Sequence, residues 1–298
     1  MCQNTTMFTR QKILLAILEQ FGGELARKQL QKLLFLYCQQ ADCNIYDFVP
    51  HKYGCYSFQA AADQTKLITK GYLEDVDNWK LAKPTEIFDK LGYRERDAIW
   101  ALKKQFRDFD QDEIIRHVYV NFPYFAIRSK IAKELLDEKQ MKAVKKATPV
   151  VRESLICSIG YEGISLEAYL NRLIQMDVNV VCDVRKNPLS RKFGFSKTAL
   201  KNALAAIGIE YMHFRDLGIS SNKRQELNSQ SDYDALFDEY EQTTLKGQQK
   251  ILSELKELIS SGKRIALLCY EKLPQQCHRT RILNSLLSSR SDISVYTS

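Results

Sequence analysis

Apolar positions in the first half of the chain recur at helical spacing. Ile13, Leu14, Ile17, Leu18 and Phe21 form one stripe, closed by Gly22 and Gly23. Leu30, Leu33, Leu34 and Tyr37 form a second. A third runs from Ser57 through Phe58, Ala61, Ala62, Thr65 and Ile68 to Gly71. Residues 71–74 and 79–82 then read as two short strands about a polar turn. Further helical stripes follow at Ile99/Leu102/Phe106, Ile114/Ile115/Val118 and Ile127/Ile131/Leu135.

The second half alternates instead. Residues 155–159, 178–184 and 264–269 are buried-type apolar runs, 209–214 alternates like a strand, and 293–296 makes a last one. Between them lie helical patterns at Leu166/Tyr169/Leu170/Leu173/Ile174, at 196–207 with Ser196 at the N-cap position, at 234–259, and at 277–288. Strand–helix alternation predicts an α/β domain with a mostly parallel sheet flanked by helices. Three helices followed by a hairpin outline a mainly helical, winged-helix-like N-terminal domain. Residues 137–153 are dense in charge, contain Pro149 and lose apolar periodicity. The expected domains are therefore 1–136 and 154–298, joined by a linker at 137–153.

Parallel order carries a functional consequence, because every strand then ends on the same edge. Gly160-Tyr161-Glu162-Gly163, Asp183-Val184-Arg185, Asp216-Leu217-Gly218 and Cys269-Tyr270-Glu271 should converge there. The last of these precedes a loop and then Cys277, His278, Arg279 and Arg281, so thiols, an imidazole, a carboxylate and guanidinium groups gather at one strand end. Asp183 and Arg185, two residues apart, share a face. They form either an ion pair or a phosphate site in which Arg185 binds and Asp183 acts as a base. Arg191 and Phe195, in a loop that also holds Ser190, Lys192 and Phe193, suit bases stacked beside phosphates, unless the rings pack inward. Cys277 at a helix start among cations is expected to favour a thiolate, or else to be a packing cysteine. Glu271 is a candidate acid or base, or a salt-bridge partner of Arg279.

Spacing excludes several chemistries. Neither Cys269 nor Cys277 is separated from Arg279 by five intervening residues, as a phosphatase loop requires. Gly160-x-x-Gly163 is neither a dinucleotide fingerprint nor a P-loop, so no cofactor is expected. Cys269-x7-Cys277-His278 departs from the close ligand pairs of zinc sites, so no metal is expected, with a set completed by His213 left open. No apolar run approaches the roughly 20 residues that span a bilayer. Eight scattered cysteines and no export signal point to reduced thiols in a cytoplasm. The net charge of +8, spread over both halves of the 298-residue chain, permits an anionic partner without demanding one.

Residues 155–298 resemble the DUF488 family through Ser158-Ile-Gly-Tyr-Glu-Gly163, Asp183-Val-Arg185 with Pro188-Leu-Ser-Arg191 and Phe195-Ser196, Gly208-Ile-Glu-Tyr211 with Leu217-Gly218, and Cys269-Tyr-Glu271 with Cys277-His-Arg279. The resemblance implies a prokaryotic α/β domain with a proposed role on nucleic acid in modification, repair or phage conflict. It departs at Ile219, where members often carry a second glycine, and at Tyr296-Thr-Ser298, where many carry a histidine. Residues 10–135 are similar to the SocA-like (DUF4065, Panacea) antitoxin group through Lys28-Gln-Leu-Gln-Lys-Leu-Leu-Phe-Leu-Tyr37, residues 46–57 and Lys70-Gly-Tyr-Leu73. That likeness implies an adaptor or antitoxin module with a protein partner.

Together these readings predict action on nucleic acid, DNA favoured, or on nucleotides. Asp183, Glu271 and Cys277 would be catalytic; Tyr161, Arg185, Ser190, Arg191, Phe195, His278 and Arg279 would bind substrate. A non-catalytic nucleic-acid sensor and a protein-interaction adaptor are the alternatives.

Overall fold

The computed structural model describes residues 7–151, 155–225, 227–288 and 293–297. The chain divides into two compact units, Met1–Thr148 and Pro149–Ser298.

The first unit runs α1 (Thr9–Gln20), β1 (Glu24–Leu25), α2 (Arg27–Gln40), β2 (Val49–His51), β3 (Gly54–Tyr56), α3 (Phe58–Thr69), β4 (Trp79–Lys80), α4 (Tyr93–Phe106), α5 (Gln111–Asn121), α6 (Ala132–Leu135) and α7 (Glu138–Ala147). Its core is the apolar face of α1 and α2 against α4 and α5. β1 pairs antiparallel with β4, and Leu73 bridges Leu81 antiparallel, so the expected pairing of 71–74 with 79–82 forms. A second hairpin, β2–β3, falls between α2 and α3, and the sequence pattern did not announce it. Consecutive residues of α2 anchor it. Gln31 exchanges two hydrogen bonds with the Ser57 backbone, and Lys32 Nζ donates to the Cys55 carbonyl at 3.1 Å.

Three expectations for this unit need correction. α3 does not bury the stripe Phe58/Ala61/Ala62/Thr65/Ile68; it buries Ala60, Asp63 and Leu67. Asp63 sits on the core face because Arg10 (Nε–Oδ2 2.6 Å), Gln11 (2.9 Å) and Tyr46 (3.1 Å) satisfy its carboxylate. The stripe Ile127/Ile131/Leu135 is not one helix. Pro123 opens a 3₁₀ turn, Ser129 Oγ accepts from the Ile131 amide, and only α6 follows. Residues 137–153, read as a linker, contain α7, opened by a capping box between Asp137 and Gln140 and held to the first core by Val144.

The second unit runs β5 (Leu155–Gly160), α8 (Leu166–Gln175), β6 (Val180–Asp183), α9 (Lys197–Ala206), β7 (Glu210–His213), α10 (Gln230–Tyr240), α11 (Gln249–Ser260), β8 (Ile265–Cys269), α12 (Arg279–Leu287) and β9 (Ser294–Thr297). The five strands form one parallel sheet in the order β7-β6-β8-β5-β9. Ile156, Val180, Cys182, Ile265 and Leu267 pack against α10, α11 and α12. The alternate residues Cys157, Ile159, Val181, Ala266 and Leu268 are equally buried, so both faces are covered, as an all-parallel sheet demands. The chain leaves β5 for β6 on one side and β8 for β9 on the other. The carboxyl ends of β5 and β8, which are neighbours, are therefore the topological switch point of the sheet.

Candidate active site

At that switch point Gly160 ends β5 and Cys269 ends β8 in register. The two loops that leave the strands nearly touch. A Cβ placed on Gly160 would lie 1.9 Å from the Glu271 carbonyl oxygen and 3.0 Å from Arg279 Nη2. The obstacle is backbone and cannot swing away. Gly160→Ala should therefore destabilise the second unit by about 3 kcal/mol, the upper end of the usual overpacking cost. Gly247→Ala, which meets only open space, should stay within about 0.5 kcal/mol of the parent in the same urea titration.

Two buried networks meet beneath the strand ends. The first is centred on Asp183, which is fully buried. Its carboxylate accepts from Arg185 Nε (2.8 Å) and Nη2 (2.5 Å), from the Arg185 amide (3.1 Å) and from Tyr211 Oη (2.6 Å). Arg185 Nη1 donates to Tyr161 Oη (3.0 Å) and to the Phe195 carbonyl (2.9 Å). The Tyr161 ring stacks on Phe195 at 4.1 Å and 8°. The Asp-x-Arg pair is thus spent internally, and Phe195 packs inward rather than facing a ligand.

The second network joins Glu271, Cys269, Cys277, His278, Arg279 and Arg224. His278 Nε2 lies 3.1 Å from the Val184 carbonyl, which can only accept, so Nε2 carries the proton and Nδ1 presents a lone pair. Arg224 Nη2 donates to that Nδ1 at 2.8 Å, and Arg224 Nη1 pairs with Glu271 Oε1. The Cys277 thiol donates to Glu271 Oε2 at 3.2 Å, while Arg279 Nε donates to Cys277 Sγ at 3.1 Å. Arg279 Nη2 holds the Glu271 carbonyl at 2.7 Å, and its Nη1 is buried without a partner among the described residues.

Burial decides the protonation states here. It pushes the Cys277 thiol well above its ordinary value, reinforced by the neighbouring Cys269 and outweighing Arg279 and His278. Of the two readings of Cys277, thiolate or packing cysteine, burial favours the protonated thiol. Cys277 precedes α12 and is buried, so desolvation exceeds what the nearby cations return. For Glu271, burial pushes the carboxyl up, but the Arg224 charge, a hydrogen bond from Cys269 and a backbone amide outweigh it and hold it below the usual range. The result is a thiol hydrogen-bonded to a carboxylate, with a guanidinium already against the sulfur. Both shifts oppose moving the Cys277 proton to Glu271 at rest, while the Arg279 guanidinium stands against the sulfur, where it stabilises a thiolate when one forms. The donor atoms of Cys269, Cys277 and His278 also lie within 4.8 Å of one another, the one such metal-capable group among the described residues. Arg224 occupies the His278 lone pair that a metal would use.

Above these networks opens a cleft of about 310 Å³, lined by Tyr161, Arg185, Lys186, Ser190, Arg191, Arg224, Cys269, Tyr270 and Glu271, among others. Of the expected site residues it brings together Tyr161, Arg185, Ser190, Arg191 and Glu271. Asp183, Phe195, Cys277, His278 and Arg279 lie below its surface. Ser190 orders its loop, accepting from the Lys192 amide (3.1 Å) and, through its carbonyl, from Ser196 Oγ (3.0 Å). On the rim, Lys186 pairs with Asp216 at 3.1 Å and Lys192 donates to the Tyr161 carbonyl at 2.9 Å. Arg191 is exposed and has no such partner among the described residues. Arg224 was not singled out from the sequence, and Tyr211 and Tyr270 lay within its motifs without being given a role. Tyr211 could have been given one, since it alternates onto the face of β7 beside β6. Arg224 lies in a 3₁₀ turn with no periodic signal.

Residues 165–286 match the family model described as a domain of unknown function, DUF488. No curated protein and no solved structure matches the chain. The DUF488 match spans α8 to most of α12 and contains Asp183, Arg185, Arg191, Arg224, Glu271, Cys277, His278 and Arg279. β5, with Gly160 and Tyr161 at its end, lies outside it. No described helix is long and apolar enough to cross a membrane.

Proposed function

We propose that the DUF488-like unit acts on nucleic acid, DNA in preference, or on nucleotides, in a modification, repair or phage-conflict role. One observation carries this reading. An open cleft at the switch point has on its rim a cation, Arg191, that no described residue pairs, and in its lining Glu271, whose carboxylate accepts from the Cys277 thiol beneath. Arg191, aided by Lys186, holds phosphate, and the half-exposed Tyr270 ring offers a stacking surface for a base. Glu271 takes the Cys277 proton and Arg279 stabilises the thiolate, which is the nucleophile. Asp183 and Arg185 shape the floor rather than touch substrate.

The first unit serves as a winged-helix-like, SocA-like recruitment module for DNA or a protein partner. The order α1-β1-α2-β2-β3-α3, with β1 paired to the strand that closes the 71–82 hairpin, supports this. The seven described cysteines are free, which agrees with a cytoplasmic setting.

The test is oligonucleotide binding and mass spectrometry. Lys186→Ala/Arg191→Ala should weaken binding and lower the slope of log affinity against log salt by about 1 for each phosphate no longer neutralised. Unchanged affinity sinks the nucleic-acid reading. Incubated oligonucleotides should show a mass change that disappears with Cys277→Ser; binding with no product favours a non-catalytic sensor, and retention of a protein partner through the first unit alone favours an adaptor.

A further inference from the structure

The first unit contains a cavity of about 300 Å³ formed by α2, the β2–β3 hairpin, α3 and β4. Its walls are mainly the rings of His51, Tyr53, Tyr56 and Trp79, and three of its lining residues, Arg27, Lys28 and Lys32, are cations. None of the lining residues is acidic. Arg27 answers to Asp77 outside the cavity, and Lys28 Nζ sits 4.2 Å above the Tyr53 ring.

Lys32 is the decisive residue. It is 2% exposed, and its single hydrogen-bond acceptor among the described residues is the Cys55 carbonyl. An ammonium has three donors, and buried charges are ordinarily paired with a counter-charge. The two buried aspartates show the contrast: Asp63 has Arg10 and Asp183 has Arg185. Burial, with Lys28 nearby, lowers the Lys32 pKa, which is the mark of an unanswered charge. Trp79 Nε1, in the same wall, is buried with no partner among the described residues. His51 is pushed down to about 4 by burial, Lys52 and Lys32, so it is neutral at pH 7 and adds no charge of its own. A largely apolar pocket of metabolite size with a few convergent polar groups is the usual form of a small-molecule site.

We propose that this cavity binds a small organic anion, a carboxylate or phosphate carried on a flat apolar body. The acid group meets Lys32, with Lys28 at the mouth, and the body lies between Tyr56 and Trp79. The first unit is then ligand-responsive, independently of what the DUF488-like cleft does.

The chain has two tryptophans, Trp79 in the cavity wall and Trp100, which is 60% exposed on α4. In the full-length Trp100→Phe protein, Trp79 is a fluorescent reporter of the cavity. Benzoate and phenyl phosphate are titrated against benzyl alcohol as the neutral control. A saturable change with either anion, weaker or absent with benzyl alcohol, supports the site, and the tighter anion identifies carboxylate or phosphate as the natural group. Lys32→Met should weaken the anion by about tenfold or more while leaving benzyl alcohol unchanged. Lys28→Ala, a milder change at the mouth, should weaken it about twofold to fivefold and flatten its salt dependence even where Lys32→Met does not fold. No saturable change with either anion, equal responses to all three probes, or unchanged anion affinity in Lys28→Ala overturns the proposal.

Discussion

Arg185→Met should destabilise the second unit by about 3–5 kcal/mol, because it leaves the Asp183 carboxylate buried and uncompensated. For a unit of this size that lowers the melting temperature by on the order of 10 °C. The geometry gives the reason. Asp183 is wholly buried and Arg185 nearly so, and the guanidinium donates to Asp183, Tyr161 and Phe195 at 2.5–3.0 Å. Removing the guanidinium orphans the carboxylate and leaves the Tyr161 hydroxyl, in the cleft wall, without its donor. Asp183→Asn/Arg185→Met should recover part of the loss, since no full charge then remains, but not all of it, since Tyr161 Oη and the Phe195 carbonyl lose the Arg185 donor. Denaturant titration of the two variants measures the coupling. Full stability with weakened oligonucleotide binding in Arg185→Met would instead make Arg185 a ligand clamp.

The same pair shows how far the sequence reads. Asp183 and Arg185 stand two apart at the end of an apolar run, so a shared face followed from strand geometry alone. That β6 and β8 would be continuous apolar runs, and that their ends would converge, followed from the parallel order. Whether the pair faced ligand or itself did not follow, because that depends on Tyr211, Tyr161 and Phe195 arriving from three other segments. Arg224 was invisible for a related reason. Its 3₁₀ turn has no period, and its importance arises only because Glu271 and His278 come to it from more than forty residues away. The two readings of Cys277 stayed open for a different reason. Neighbouring cations are legible in the sequence, but burial is not, and here burial wins. Asp63 is the first unit's counterpart, a carboxylate on the core face that no hydrophobic pattern can place until Arg10 and Tyr46 are seen beside it.

Glu271→Gln tests the thiol–carboxylate network by pH. Glu271 has its carboxyl held below the ordinary range in the folded state, so it binds fewer protons folded than unfolded as pH falls. Its contribution is present above the unfolded value of about 4.3 and is lost as pH drops through the lower folded value. The variant should therefore be less stable than the parent by about 2 kcal/mol at neutral pH, where Arg224 loses its counter-charge. The gap should narrow below pH 4 and close once the parent's Glu271 is itself neutral. At pH 7 the variant should also lose, by a factor on the order of 100, any reaction that requires the Cys277 thiolate, because the amide cannot take the Sγ proton. Thiol alkylation followed by peptide mass spectrometry reads Cys277 directly. A parent whose Cys277 alkylates no faster than that of the variant removes Glu271 from the base role and leaves it as the counter-ion of Arg224.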